Sequence, residues 1–240
     1  MGYSLEQIAH IRTDFPEKFG IPRQPGIVGE LKGKIVFEPE FRNRDCLRGL
    51  EEFSHIWLIW QFSKSLDGEG RSRWTPTVRP PRLGGNERMG VFATRSPFRP
   101  NPLGLSVVAV DRIDMDSADG PVIYVKGADM VDGTPIFDIK PYIPYADSIP
   151  DAKGGFTDSK EYKKLNVVWD SENVRRKFME DIPDVAEDFF STLEKILSND
   201  PRPHYQNDPE RVYGMLYAGH EVKFKVDGDI AKIIDISYTH

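Results

Sequence analysis

The segment Arg79–Ser106 holds the residue types best suited to binding a ligand. It contains five arginines and a single acid, Glu87. The wider segment 71–106 contains seven arginines, no lysine and one glutamate, so it carries +6 in a chain of net charge −6, and the other residues together carry −12. A cationic segment in an acidic chain is typical of a site for an anion. Arginine, rather than lysine, favours two-point recognition of phosphate or carboxylate.

Proline and glycine stiffen the segments around these arginines. In the run Lys18–Gly26, KFGIPRQPG, two prolines restrict the backbone on both sides of Arg23 and Gln24. A second unusual run, VDGTPIFDIKPYIPY, spans Val131–Tyr145. Together these segments predict a site built from loops on a rigid β scaffold, although Lys18–Gly26 alone is equally compatible with a plain surface loop.

Several common catalytic motifs are missing from the sequence. There is no Walker loop, HExxH or GxSxG motif, and GEGRSR at Gly68–Arg73 lacks the third glycine and the following helix of a dinucleotide loop. One cysteine, Cys46, and five scattered histidines provide neither a disulfide nor the spacing of a metal site, which disfavours a hydrolase or a metal enzyme. The lone cysteine indicates a reducing compartment, and no apolar stretch is long enough to cross a bilayer. We therefore expect a cytoplasmic protein with no metal and no membrane contact.

The elements that must position these residues are β-strands within the first 145 residues. Apolar and β-branched runs bounded by proline and glycine predict five to seven strands and hardly any amphipathic helix. The runs are 33–41, 54–63, 89–95, 103–115, 122–126 and 136–142, preceded by a short apolar stretch within residues 1–12. This pattern indicates a β-barrel or a β-sandwich rather than a doubly wound α/β sheet.

The C-terminal part of the chain has a different composition. Residues 147–164 are rich in Asp, Gly, Ser and Lys, which is typical of a linker or surface excursion. Helical periodicity follows over 171–198, where Pro183 is expected to separate two helices. An Asp-Gly pair at 227–228 lies between two β runs and predicts a hairpin. These features predict a small α+β domain at 165–240.

The order of four motifs resembles the TsaA-like (TrmO) family. The motifs are KFGIPRQPG, RGLEEFSHIWLIWQF, RPPRLGGNERMGVFATRSPFRPNPLGLS and VDGTPIFDIKPYIPYADS, within residues 5–150, and DPRPHY at Asp200–Tyr205 matches a C-terminal motif of longer bacterial members. The resemblance implies a mainly β fold, in which a single-sheeted β-barrel domain at 1–150 binds S-adenosylmethionine and the α+β domain at 165–240 carries the DPRPHY loop. It also implies a homodimeric enzyme that uses S-adenosylmethionine to methylate N6 of N6-threonylcarbamoyladenosine at position 37, in the anticodon loop of tRNA.

The resemblance also assigns roles to individual residues. The cofactor positions that it implies are Pro22, Arg23, Gln24, Ser63, Lys64, Arg95, Leu105, Asp132, Gly133 and Thr134. Other arginines are expected either at the anticodon-loop phosphates or, for some, in pairs with the surplus acids; they are Arg79, Arg82, Arg88 and Arg99. Arg202 and Tyr205 are candidates for the threonylcarbamoyl carboxylate and for base stacking, or else belong to a domain-docking loop.

No general base is assigned from the sequence. Phe98 stands where many members of the family have histidine in RSPHRPNP, so a histidine base is not available there. Asp138, Tyr142 and Asp200 are candidates to assist the loss of the acceptor proton, and each has a plainer role as a hydrogen bonder that fixes a loop. The alternative to an enzyme is a β-barrel module that binds S-adenosylmethionine or RNA without turnover.

Overall fold

The computed structural model describes residues 4–80, 87–158, 163–181, 186–202 and 208–239. The chain forms two compact units, one made of Met1–Thr13 with Gln24–Lys160 and the other of Asp14–Arg23 with Glu161–His240. The short segment Asp14–Arg23 thus leaves the first unit and joins the second before the chain returns. The predicted boundaries do not include this crossing, and the division into functional domains 1–150 and 165–240 stays a prediction.

Six strands of the first unit close into an antiparallel barrel. The strands of this unit are β1 (Ala9–Thr13), β2 (Lys32–Phe37), β3 (His55–Gln61), β4 (Thr77–Val78), β5 (Met89–Gly90), β6 (Leu103–Asp114), β7 (Val122–Lys126) and β8 (Thr134–Pro141). The barrel order is β1-β2-β7-β6-β3-β8, with β8 pairing back to β1, whereas β4 and β5 form a separate two-stranded ribbon. A short helix, α1 (Pro144–Asp147), follows β8. The predicted mainly β fold with an N-terminal barrel is confirmed.

Alternating burial along β3 shows how the sequence builds this barrel. Ile56, Leu58 and Trp60 are buried in the core, whereas Trp57 lies on the outer face and donates from Nε1 to Asp147 Oδ2 at 3.1 Å. A period of two is expected of a strand with one face on a core. The other strands fill the barrel with Ala9, Ile11, Ile35, Val108, Ile123 and Ile136.

One end of the barrel, which we call the site end, gathers the connections that matter for function. There β1, β3 and β7 finish and β2, β6 and β8 begin, as the pairs Thr13–Gly33 and Gln61–Leu103 show. Because all neighbouring barrel strands are antiparallel, the loops that join these ends leave the barrel on the same side.

The second unit combines a four-stranded sheet with two helices. Its elements are β9 (Asn166–Trp169), α2 (Glu172–Asp181), α3 (Ala186–Ser198), β10 (Tyr213–Tyr217), β11 (His220–Asp227) and β12 (Ile230–Tyr238), with the strand order β10-β11-β12-β9. The two predicted helices and the hairpin at 227–228 are confirmed. The parallel strand β9 was not predicted, because it has only four residues and directly follows a polar segment.

Aromatic side chains form much of the core of the second unit. Phe178, Phe189 and Phe190 pack against one another with ring centroids 4.9–5.9 Å apart. Phe15, in the crossing segment, packs on Tyr217 at 5.2 Å. Ring contacts of this kind bury large apolar areas and explain why Asp14–Arg23 belongs to this unit.

One predicted strand, 89–95, is mostly wrong. Only Met89–Gly90 is extended, and Val91–Ala93 form a 3-10 turn. Thr94 donates to the Val91 carbonyl from its amide at 3.1 Å and from Oγ1 at 2.8 Å. These local bonds replace the partners that a neighbouring strand would supply.

Two statements, on membrane-spanning helices and on metal-binding groups, apply only to the residues that the structure describes. No helix among those residues is long and apolar enough to cross a membrane. The same residues contain no group of three or more His, Cys, Asp and Glu side chains placed to hold a metal.

Candidate functional site

The site end carries most of the predicted cofactor positions. Gln24 lies between β1 and β2, Ser63 and Lys64 follow β3, Arg95 precedes β6, Leu105 lies in β6, and Asp132, Gly133 and Thr134 join β7 to β8. All of these residues belong to the first unit, whereas Pro22 and Arg23 belong to the second. Four separate segments of chain are therefore brought to one side of a single barrel.

The turn Asp132–Thr134 is fastened to β1 by its own polar groups. The amide of Thr13 donates to Asp132 Oδ1 at 3.0 Å, and Arg12 Nε lies 3.2 Å from the same oxygen. The Gly133 amide donates to the Ile11 carbonyl at 2.8 Å, and Gly133 has a φ of +74°, which favours glycine. The Thr134 hydroxyl is buried and donates to the Val131 carbonyl at 2.7 Å. The turn is thus a rigid support whose side chains already have structural partners.

Arg95 links the arginine-rich segment to the early proline loop. Its Nη1 donates to Gln24 Oε1, and the side chain is exposed. A guanidinium has five N–H donors in a planar fork, so Arg95 keeps donors for an anionic group after this contact. This donor set fits a carboxylate-bearing ligand such as the one that the family resemblance implies.

Arg23, in the second unit, has an unfilled donor. Its Nη2 donates to the Arg202 carbonyl at 2.8 Å, whereas its Nη1 is buried without a hydrogen-bond partner. A buried donor without a partner is costly. An anionic ligand would remove that cost.

A half-buried carboxylate that the sequence did not single out, Asp129, lies at the site end. Trp60 Nε1 donates to Ser106 Oγ at 3.0 Å, and Ser106 Oγ donates to Asp129 Oδ1 at 2.7 Å. Burial raises the pKa of Asp129 to about 6, against the opposing effects of the Ser106 bond, of the hydrogen bond from its own amide and of the charge of Arg95. Perturbed acids of this kind cluster at functional sites. The sequence feature that could have identified Asp129 is its position, just after an apolar strand and three residues before the Asp-Gly-Thr turn.

The arginines of segment 71–106 divide into paired and unpaired groups. Arg71 forms ion pairs with Asp67 and Glu69, so its charge is neutralised locally. Arg99 donates to the carbonyls of Thr94 and Ser96 at 3.0 and 3.3 Å and holds its own loop. Exposed arginines without an ion pair among the residues described are Arg73, Arg79, Arg88 and Arg95. Arg82 lies outside the described residues.

Three exposed aromatic side chains accompany these arginines. Trp74, Phe92 and Phe98 are 53%, 76% and 42% exposed. The loop that presents them is closed by hydrogen bonds from Thr75 N to the Phe98 carbonyl at 3.1 Å and from Val91 N to the Pro76 carbonyl at 3.0 Å. We call Trp74, Phe92 and Phe98, with Arg73, Arg79 and Arg88, the aromatic-arginine surface. Cations and exposed rings together are typical of surfaces that bind single-stranded nucleic acid. The sequence did not identify these rings, because exposure cannot be read from residue type.

The candidate proton acceptors lie elsewhere or have partners. Asp138 accepts from the Ile139 amide at 2.9 Å and lies 3.1 Å from Lys140 Nζ. Tyr142 is at the opposite end of the barrel, because β8 runs eight residues away from Thr134, about 26 Å at strand spacing. These positions favour the plainer, structural roles for Asp138 and Tyr142.

In the second unit, Asp200 and Arg202 bind each other. Arg202 donates from Nε and Nη2 to the two Asp200 oxygens at 2.9 and 3.0 Å, and both side chains are largely buried. This pairing leaves Arg202 poorly placed to hold a substrate carboxylate and favours the loop-fixing alternative for both residues. Tyr205, the other candidate in the DPRPHY loop, lies outside the described residues.

Comparison with known proteins gives matches along almost the whole chain. The sequence model of the tRNA-methyltransferase O N-terminal domain matches residues 10–148, and that of the TrmO C-terminal domain matches residues 162–239. A protein of Escherichia coli K12 described as tRNA (adenine(37)-N6)-methyltransferase is 38% identical over 226 residues, 93% of each chain. A protein of Pseudomonas aeruginosa described as putative S-adenosylmethionine-dependent methyltransferase RcsF is 38% identical over 99% of each chain.

A solved structure agrees with these sequence matches. The crystal structure of TrmO from Pseudomonas aeruginosa superposes with a TM-score of 0.78 at 33% identity and covers 99% of each chain. Matches to both domain models, together with this structural likeness, show that the chain belongs to the tRNA-methyltransferase O family.

Proposed function

We propose that this chain is an S-adenosylmethionine-dependent tRNA methyltransferase that methylates N6 of N6-threonylcarbamoyladenosine at position 37. The observation that carries the proposal is the site end, where Gln24, Arg95 and the turn Asp132–Thr134 lie on one side of one barrel. Relatives described as tRNA (adenine(37)-N6)-methyltransferase and as S-adenosylmethionine-dependent methyltransferase match nearly the full length of the chain and support the same reaction.

The site end would hold the cofactor. When bound, S-adenosylmethionine supplies an electrophilic methyl group attached to a sulfonium. Arg95 would hold its carboxylate, since only part of its fork is used by Gln24. Ser63, Lys64, Leu105 and the backbone of the Asp132–Thr134 turn are the proposed further contacts. The roles of Pro22 and Arg23 in cofactor binding stay predictions of the family resemblance.

The aromatic-arginine surface would bind the anticodon loop of the tRNA. Arg73, Arg79 and Arg88 have no ion pair among the described residues and therefore suit phosphates. Trp74, Phe92 and Phe98 expose rings on which unpaired bases can stack. This combination suits an unpaired loop better than a regular duplex, since only splayed bases offer their faces to side chains.

The proposal includes a homodimer, as the family resemblance implies, and a cytoplasmic location, as the lone cysteine indicates. Light scattering of the full chain tests this part: a mass of twice 27.4 kDa is expected, and a mass equal to one chain would contradict it.

A transfer assay tests the proposed function. The purified full chain is incubated with S-adenosylmethionine labelled in the methyl group and with two tRNA pools, one carrying threonylcarbamoyladenosine and one lacking it. We expect label to enter only the first pool. Cofactor binding without label in either pool would instead support the non-catalytic binding module.

A further inference from the structure

We propose that Asp129 accepts the proton that leaves N6 of the acceptor nucleoside during methyl transfer. This inference rests on the proposed function. No described role in the barrel requires a charged group at this position, since a neutral acceptor would serve the Ser106 hydroxyl equally well.

Asp129 is held in one orientation by a chain of hydrogen bonds that begins in the core. Trp60 Nε1 donates to Ser106 Oγ at 3.0 Å, and Ser106 Oγ in turn donates to Asp129 Oδ1 at 2.7 Å. Trp60 and Ser106 are 6% and 1% exposed, so this chain is anchored in the core. Ser106 thus fixes one carboxylate oxygen, and the backbone amide of Asp129 itself also donates to the carboxylate. A carboxylate has about four acceptor positions, so lone pairs remain for a proton on a group held in a fixed orientation, as a general base needs.

The position of Asp129 places it among the cofactor residues. It lies in the connection from β7 to β8, three residues before Asp132 of the Asp-Gly-Thr turn. Two residues before it, the Gly127 carbonyl accepts from the Gly26 amide of the early loop at 2.9 Å. Arg95 is close enough for its positive charge to lower the pKa of the Asp129 carboxyl. Among the described residues, it is the charged side chain that has this effect. The acid therefore adjoins the early loop, Arg95 and the turn.

The ionisation of Asp129 suits proton transfer near neutral pH. Burial raises the pKa of its carboxyl to about 6, which keeps it ionised at pH 7 but makes it a far better proton acceptor than an ordinary aspartate. The N6 atom of the acceptor belongs to a urea-like group and is a weak nucleophile. A base that removes its proton as the new bond forms would therefore lower the barrier.

The step balances with no further reagent. N6 forms a bond to the methyl carbon while the carbon–sulfur bond breaks. The electron pair of the carbon–sulfur bond stays on sulfur, which becomes a neutral thioether. The N6–H bond breaks, the electron pair of that bond stays on nitrogen, and the proton passes to the Asp129 carboxylate. Release of that proton to water restores the carboxylate.

Two variants separate this role from a structural one. Asp129→Asn keeps an oxygen for Ser106 but removes the base. We therefore expect kcat to fall at least about 100-fold, within the range of general-base effects. The cofactor Kd measured by calorimetry should change less than about threefold. Ser106→Ala removes a bond that lowers the pKa of Asp129, so the acidic limb of the kcat–pH profile should move to higher pH. The matched control, Asp111→Asn, changes an exposed carboxylate that pairs with Lys126 and should leave kcat unchanged.

A stability measurement provides a readout that is independent of turnover. The pKa of Asp129 is about 6 in the folded chain, against 3.8 for an ordinary aspartate, so the parent loses stability as pH rises from about 4 to about 6, whereas the Asn variant does not. The melting temperature of Asp129→Asn relative to the parent should therefore rise between pH 4.5 and pH 7.5.

Three results would overturn the assignment: Asp129→Asn retaining more than a third of the parental kcat, an unshifted acidic limb in Ser106→Ala, or a melting-temperature difference that does not depend on pH. Failure of the proposed function is distinct, because the parent chain itself would then methylate neither tRNA pool.

Discussion

Arg202 donates two nearly equal hydrogen bonds to Asp200, from Nε at 2.9 Å and from Nη2 at 3.0 Å, and the side chains are only 8% and 14% exposed. Two residues that the sequence offers as candidates for acting on the substrate therefore bind each other. Asp200 has a φ of +45°, a conformation that aspartate tolerates better than most residues.

Breaking this pair should destabilise the second unit. Asp200→Asn leaves the buried Arg202 charge without its counterion, so we expect the free energy of unfolding to fall by about 3–5 kcal/mol. Urea unfolding of the full chain measures the change. Arg176→Ala is the control, because Arg176 and Glu180 form an exposed pair at 3.9 Å that should contribute less than about 1 kcal/mol. Equal losses in the two variants would contradict the structural role.

Gly104 is predicted to be irreplaceable in the barrel. A Cβ atom at this position would overlap the indole of Trp60, which is itself buried. Gly104→Ala should cost about 1–3 kcal/mol or more through overpacking and should disturb the Trp60–Ser106 contact. In Gly90→Ala the new methyl group meets no atom within 4 Å, so thermal unfolding should show a clear loss only for Gly104→Ala. A fully stable Gly104→Ala variant would be incompatible with this packing.

Acid should weaken the second unit through His220. Its ring packs against Phe178 and Phe189 at 5.0 and 5.3 Å, its Nε2 is buried without a partner, and burial lowers the pKa of the imidazole. Below about pH 6.5 the unfolded chain therefore binds a proton that the folded chain does not, so stability falls as pH falls. Urea midpoints from pH 7.5 to 5 should decline less in His220→Phe than in the parent, and parallel curves would exclude His220 as the cause.

Arg95 should contribute to cofactor affinity. Arg95→Gln removes a charged donor near Gln24, so the cofactor Kd should rise about 10–100-fold, the equivalent of a charged hydrogen bond. Calorimetric titration measures this Kd. Arg88→Gln is the matched control, because Arg88 contacts Thr77 rather than the early loop. Unchanged affinity in Arg95→Gln would remove this residue from the cofactor site.

The aromatic-arginine surface should affect RNA binding in two distinguishable ways. Arg79→Gln should reduce the slope of log Kd against log salt by about one, because one phosphate contact is lost. Phe92→Ala should weaken binding by about 1–3 kcal/mol at every salt concentration, because stacking is lost rather than charge. Arg71→Gln is the control for the slope, since Asp67 and Glu69 already neutralise Arg71. Identical slopes in Arg79→Gln and the parent would place the tRNA elsewhere.

The barrel could be predicted from the sequence because its strands follow a simple physical pattern. Residues such as Ile56, Leu58 and Trp60 alternate with outward positions, and prolines and glycines mark the loops. The crossing of Asp14–Arg23 into the second unit could not be predicted, since it depends on contacts such as Phe15 with Tyr217 between residues far apart in the chain.

For the site, the sequence identified residue types but not their partners. It indicated the arginine-rich segment, yet only the structure shows that Arg71 and Arg99 are occupied while Trp74 and Phe92 are exposed. Asp129 was missed for the same reason. Its significance comes from burial and from Ser106, which lies 23 positions away in the chain.

The most direct test of the central claim is mass spectrometry of the anticodon-loop fragment of tRNA after reaction with the purified chain and S-adenosylmethionine. We predict a single new methyl group on N6 of N6-threonylcarbamoyladenosine at position 37, present only when protein and cofactor are both supplied. A methyl group on any other nucleotide, or none on any tRNA although the chain binds the cofactor, would contradict the account.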